Sequence, residues 1–215
     1  IAKIDRVVFL GMGTSFNAAM VARNWMETLA RIPCEFENSS EFRYRDPVID
    51  ENTLVVSISQ SGETADTLAS MEEAQNKGAL QLTLCNYPGT QTTRIAEHTM
   101  LIRAGLEISV AGSKTFTCSL ISLLLLAIDM GTRRGMLEPS RHRELVAELA
   151  HLPEMLGETL SDESQYKALA QKYGRCADFL YLGRGINFPL AMEGALKLKE
   201  ISYIHAEGYP AAEMK

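Results

Sequence analysis

Short apolar runs alternate along the chain with longer segments in which apolar positions recur every three or four residues. The runs Arg6–Leu10, Cys34–Glu37, Leu54–Ser59, Leu80–Cys85 and Thr99–Ile102 have the length and bounds of buried strands. Ser15–Ala30, Glu63–Lys77 and Lys114–Arg134 carry helical spacing, the second with Ala65, Leu68, Ala69, Met71 and Ala74 as its apolar positions. A short helix is expected at Ser39–Arg45, before the turn at Asp46-Pro47. Strands alternating with helices mean βαβ units. The predicted fold is therefore α/β: three layers, flavodoxin-like, with a parallel five-stranded sheet in the order 2-1-3-4-5. Winding reverses between strands one and three, and open α/β sheets bind ligands in the crevice at such a reversal.

After Gly135 the pattern changes. Helices are expected at Pro139–Leu160 and Asp162–Tyr173, a strand at Phe179–Leu182 and a further helix at Pro189–Ile204. Gly183-Arg184-Gly185 follows the new strand as Gly11-Met12-Gly13 follows the first. Residues 1–135 are thus expected to form one domain, and residues 136–215 connecting helices plus an incomplete second copy of one strand and its helix. The absence of an initial methionine and the stop after a helix and a loop read as two cuts in a longer chain.

At 215 residues and 46% hydrophobic content the chain can bury a substantial core. A net charge of −6 without a basic cluster argues against a nucleic-acid or anionic-membrane surface. Ile121–Ile128, the most apolar run, is too short to span a bilayer and reads as a buried helix, and no signal peptide precedes the first strand. Cys34, Cys85, Cys118 and Cys176 lie far apart and read as reduced core residues of a cytoplasmic protein. No histidine or cysteine spacing implies a metal.

Two loops carry candidate chemistry. Ser59-Gln60-Ser61-Gly62-Glu63-Thr64 packs three hydroxyls and an amide between a strand and a helix N-terminus, where unpaired N–H groups and the helix dipole attract an anion. Ser61 acting only as a helix cap, with Glu63 or Thr64 completing a capping box, is the competing reading. A second loop of the same kind, Gly11-Met12-Gly13-Thr14-Ser15, follows the first strand and tips the balance toward a ligand site. Phe16 stands where a dinucleotide fingerprint needs its third glycine, and no P-loop is present, which leaves a small phosphorylated ligand.

Glu193, Lys197 and Glu200 share one narrow helical face. Leu190, Ile201, Ile204 and Leu196 flank the row, and Ala191, Ala195 and Ser202 form the opposite face. A charged row inside an apolar arc is expected to line a cleft rather than face bulk water, placing a carboxylate where burial favours proton transfer.

With Gly13-Thr14-Ser15, the Ser59–Thr64 loop, Glu107-Ile108-Ser109-Val110-Ala111 with Lys114, and the run Glu193–Glu207 (EGALKLKEISYIHAE), the whole chain resembles the isomerase part of the glucosamine-6-phosphate synthases, within the wider sugar-isomerase (SIS) family. The resemblance implies a first complete SIS domain, the start of a second, and a cytoplasmic homodimer that takes fructose 6-phosphate to glucosamine 6-phosphate without a cofactor. It implies that Ser59, Gln60, Ser61 and Thr64 hold the phosphate, and that Gly13, Thr14, Ser15, Val110 and Ala111 line the sugar site. Glu200 would move the proton between C1 and C2, with Lys197 holding sugar hydroxyls or biasing the charge on Glu200. Met12 and Gly112-Ser113 depart from the family pattern, which has cysteine and Ser-Thr there. The glutamine-hydrolysing domain, a ring-opening histidine just beyond Lys215 and a Schiff-base lysine lie outside the chain, so it is expected to be inactive alone. An isomerising glucosamine-6-phosphate deaminase and a sugar-phosphate-sensing module are the alternatives. The second is weakened by the presence of Glu200 and Lys197 and the lack of a helix-turn-helix or basic surface.

Overall fold

A computed structural model describes residues 3–215. Strands β1 (Arg6–Gly11), β2 (Cys34–Asn38), β3 (Thr53–Ile58), β4 (Leu80–Cys85) and β5 (His98–Leu101) pair in parallel in the order β2-β1-β3-β4-β5, as the alternation of elements predicted. Alternate side chains of β1 go to opposite faces. Val7 and Phe9 join Ala18, Ala19 and Ala22 of α1 (Thr14–Trp25) and Leu123, Ala127 and Met130 of α5 (Lys114–Arg133). Val8 and Leu10 join Phe42 of α2 (Ser39–Phe42) and Ala74 of α3 (Ala65–Asn76). Burial on both faces explains why these strands read as continuous apolar runs. A five-residue helix, α4 (Gln91–Ile95), which periodicity did not reveal, follows β4.

The predicted helix Ser15–Ala30 is not uniform: its last turn, Met26–Ala30, is π-helical. The widened turn lies against α5, where a Cβ at Gly131 would stand 2.5 Å from the Leu29 carbonyl oxygen. Arg134 then donates to the carbonyls of Ala30 and Ile4, at 3.1 Å each, and pins the turn to the start of the chain. Helix α5 is long and apolar enough by composition to cross a membrane; Leu123, Ala127 and Ile128 are buried in the core, whereas Leu125, 40% exposed, departs from the buried helix expected at Ile121–Ile128.

Helices α6 (Pro139–Leu160) and α7 (Ser164–Tyr173) bury no residue. They lead to β6 (Asp178–Gly183), α8 (Asn187–Ser202) and β7 (His205–Pro210), with β6 and β7 paired in parallel. Strand β7 corrects the expectation of one strand, its helix and a closing loop. Its sequence, HAEGYP, lacks alternation and carries Gly and Pro, so the strand depends on packing: a Cβ at Gly208 would lie 2.5 Å from Met192 Cα of α8. Cys176 is a second correction. It is exposed between α7 and β6, whereas Cys34 and Cys85 are buried and Cys118 half-buried.

Candidate functional site

At the C-terminal end of β3 the chain turns through Ser59–Thr64 into α3. The turn is held from both sides: Ser59 N–H donates to the Leu84 carbonyl at 2.9 Å, Asn86 N–H to Gln60 at 3.1 Å and Thr92 N–H to Gly62 at 3.1 Å. Ser59 Oγ is buried and accepts from Gly62 N–H at 3.1 Å, and Ser61 Oγ accepts from Glu63 N–H at 3.1 Å. Glu63 Oε1 accepts from Gln91 N–H at 2.9 Å. The serine oxygens only accept within the turn, so each hydroxyl still has its own proton to donate. Thr64 occupies the N-cap position of α3 but makes no capping bond, so the first N–H groups of that helix have no side-chain acceptor. The anion reading needs such a terminus; the capping-box alternative does not describe it.

At the end of β1, Gly13 (φ 54°, ψ −122°) lets the chain reverse into α1. Between the two turns lies a cavity of about 220 Å³, at the predicted reversal of winding. Thr14, Ser15, Gln60 and Val110 line it, so the structure brings together four of the expected site residues. Ser59, Ser61 and Thr64 belong to the adjoining turn and Gly13 to the start of α1. Ala111 is buried behind the lining, while Val110 is 91% exposed at the rim.

The charged row of α8 comes to the same place. Glu193 Oε1 accepts from Thr14 Oγ1 at 2.9 Å, and Oε2 accepts from Asn17 Nδ2 at 2.8 Å. Lys197 Nζ donates to Thr14 Oγ1 at 3.0 Å and to Glu200 Oε2 at 2.6 Å, and lies 3.3 Å from Glu193 Oε1. The row is graded in burial: Glu193 is 4% exposed, but the Glu200 side chain keeps 33% of its surface. The cleft expected along the whole row thus closes over Glu193 and opens toward Glu200.

Two acidic residues received no role from the sequence. One is Glu193; its three partners are on α1 and one helical turn away. The other is Glu107, whose Oε2 accepts from Thr115 N–H at 3.1 Å, Thr115 Oγ1 at 3.1 Å and Ser113 N–H at 3.2 Å, bracing the loop before α5 at the cavity wall. The Thr115 N–H first, then its hydroxyl and the Ser113 N–H, hold the Glu107 carboxyl below the usual carboxylate range. Asn17 was legible only as a polar residue three positions after Thr14.

Residues 1–129 match the SIS domain. The whole chain is 51% identical to a glutamine–fructose-6-phosphate aminotransferase (isomerizing) of Pseudomonas putida, and 99% of it is 47% identical to the Thermus thermophilus enzyme of the same name. The chain spans about a third, 35%, of the length of each. The C-terminal domain of a glucosamine-fructose-6-phosphate aminotransferase from Francisella tularensis superposes with a TM-score of 0.97 at 37% identity, covering 99% of this chain and 60% of that one.

Proposed function

Since the chain belongs to the SIS domain family, we propose that it is the sugar-phosphate-binding part of an isomerizing glutamine–fructose-6-phosphate aminotransferase. Residues 1–135 are assigned to a first SIS domain, and residues 136–215 to connecting helices and the start of a second. Fructose 6-phosphate occupies the cavity, its phosphate on Ser59, Gln60, Ser61 and Thr64 and its sugar against Gly13, Thr14, Ser15, Val110 and Ala111. The observation that supports this orientation is the turn before α3, where the hydroxyls of Ser59, Ser61 and Thr64 stand at a helix N-terminus with no side-chain cap. Asp66, the acidic residue of that first turn, is paired with Arg43 at 3.0 Å, so an incoming phosphate is favoured there.

Isomerisation needs one carboxylate that takes a proton from a carbon of the open-chain sugar and returns it to its neighbour. Glu200, the less buried carboxylate of the row, serves as that base, and Lys197 orients it. The reading includes a cytoplasmic homodimer, with ammonia release and the rest of the second SIS domain supplied from outside residues 1–215.

Calorimetry with fructose 6-phosphate and fructose tests the phosphate assignment. The phosphorylated sugar binds more tightly, and Ser61→Ala with Thr64→Ala removes about 1.5–3 kcal/mol per charge-assisted hydrogen bond lost. Equal affinity for the two sugars sinks the assignment.

A further inference from the structure

Among the described residues, Glu193 is the one charged side chain that is buried, and the roles proposed above make no use of it. Its Oε1 accepts from Thr14 and its Oε2 from Asn17, both in the first turn of α1. The N-cap of that helix is Gly13, which has no side chain to offer, and its first turn holds no acidic residue. A helix N-terminus carries roughly half a positive charge. Helix α8 therefore supplies, from more than 170 residues away, the anion that the sequence of α1 lacks.

The second half of the arrangement is Lys197. Its ammonium has three protons. Thr14 Oγ1, Glu200 Oε2 and Glu193 Oε1 are the three acceptors around it. Thr14 is likewise committed, donating to Glu193 and accepting from Lys197. Displacing any one of the four groups leaves a polar partner unpaired near a buried carboxylate, which costs more than a surface pair does. The sugar-side loop and the proton-transferring row are thus joined through one carboxylate.

We propose that Glu193 is a positioning residue: an internal anion that ties the Gly13–Ser15 loop to α8 and fixes Lys197, so that the ligand site and the base keep one relative geometry. The tie itself follows from contacts within the chain; its value to the reaction rests on the function proposed above. Two measurements separate these. The first is amide hydrogen exchange of the ligand-free chain with Glu193→Gln, which keeps the shape and removes the charge. Exchange at residues 13–17 is expected to quicken several-fold while β3 and β4 keep their protection. The second, in the full-length protein, is solvent-deuterium exchange at the sugar carbon beside the carbonyl, measured with the Kd for fructose 6-phosphate. A misplacement of about 1 Å costs on the order of a hundredfold in rate, so the exchange should fall by that order with little change in Kd.

Asn17→Ser, which removes one bond from the α1 side and leaves the carboxylate on Lys197, should give the same split at smaller amplitude. It also keeps the test open if Glu193→Gln does not fold. Unchanged amide exchange at residues 13–17 overturns the tie. Faster amide exchange with undiminished sugar exchange overturns the positioning role and leaves a purely structural pair. Wild-type protein that binds no sugar phosphate overturns the proposed function, while the amide measurement still judges the tie.

Discussion

Gly62 offers a quantitative test of how the turn after β3 is built. Its φ is 66°, where an L-residue is disfavoured by about 1–2 kcal/mol. A Cβ there would lie 2.2 Å from Thr90 Oγ1, 2.7 Å from Thr90 Cβ and 2.8 Å from Thr92 Oγ1. Rotating the threonine about χ1 moves the hydroxyl but not Cβ. The clash therefore passes to the backbone between β4 and α4, which is itself bonded to Gly62 through Thr92 N–H. Overpacking of this kind adds about 1–3 kcal/mol, so Gly62→Ala should cost roughly 2–5 kcal/mol in total. Gly135→Ala, just past the end of α5, is the control. Its φ is 67° and nothing lies within 4 Å of its Cβ, so only the backbone cost applies, about 1–2 kcal/mol. Urea denaturation of both variants measures the difference, and Gly62→Ala combined with Thr90→Gly should recover the part of the overpacking owed to Thr90. If Gly62→Ala costs no more than Gly135→Ala, the turn is not wedged by the threonines and the account is wrong.

Three further outcomes are expected. In the full-length protein, Glu200→Gln should abolish solvent-deuterium exchange into the sugar while retaining fructose 6-phosphate binding, because an amide keeps the shape but takes no proton; undiminished exchange removes Glu200 as base. Gly208→Ala should strip amide-exchange protection from β7, since its Cβ would meet Met192 Cα at 2.5 Å and helical backbone cannot yield as a side-chain tip does; preserved protection refutes this. The Glu107 carboxyl titrates below its unfolded value, so its contribution to stability is present above the ordinary carboxylate range and is lost as pH falls through the folded value. Thermal melts of wild type and Glu107→Gln should converge on acidification, and a constant gap would show that the charge on Glu107 is not what braces the loop.

The sheet was legible because its information is local. Each strand of the first unit is a short apolar run with polar bounds, and the parallel order followed from the helices between the runs. What escaped depends on approach between distant segments. Strand β7 exists because Gly208 fits beneath Met192, a fact no window around HAEGYP contains. The π-helical turn at Met26–Ala30 answers to Gly131, about a hundred residues away. At the site, the hydroxyl-rich turns and the charged row were readable as motifs, but their division of labour was not. Periodicity put Glu193, Lys197 and Glu200 on one face and could not say that α1 covers only its first part. The small residues on the opposite face had no reason in sequence beyond economy of space. In the structure Ala191 and Ala195 are buried, and a Cβ at Gly194 would stand 2.9 Å from the Tyr181 ring.

Those two faces make α8 a beam glued on both sides with unlike adhesives. Toward β6 and β7 the seam is close-packed, with Gly194 of α8 against the Tyr181 ring of β6 and Gly208 of β7 against Met192 of α8, and a gap of about 0.5–1 Å already forfeits a quarter to a half of such attraction. Toward α1 the seam is polar, and water can take up each hydrogen bond as it is released. Since α8 packs more extensively on β6 and β7 than on α1, a displacement that carries α8 with its own strands parts the polar seam. Lys197 and Glu200 then leave together with that block, while Thr14 remains behind with the first sheet, so the same boundary that assembles the site is the line along which it comes apart.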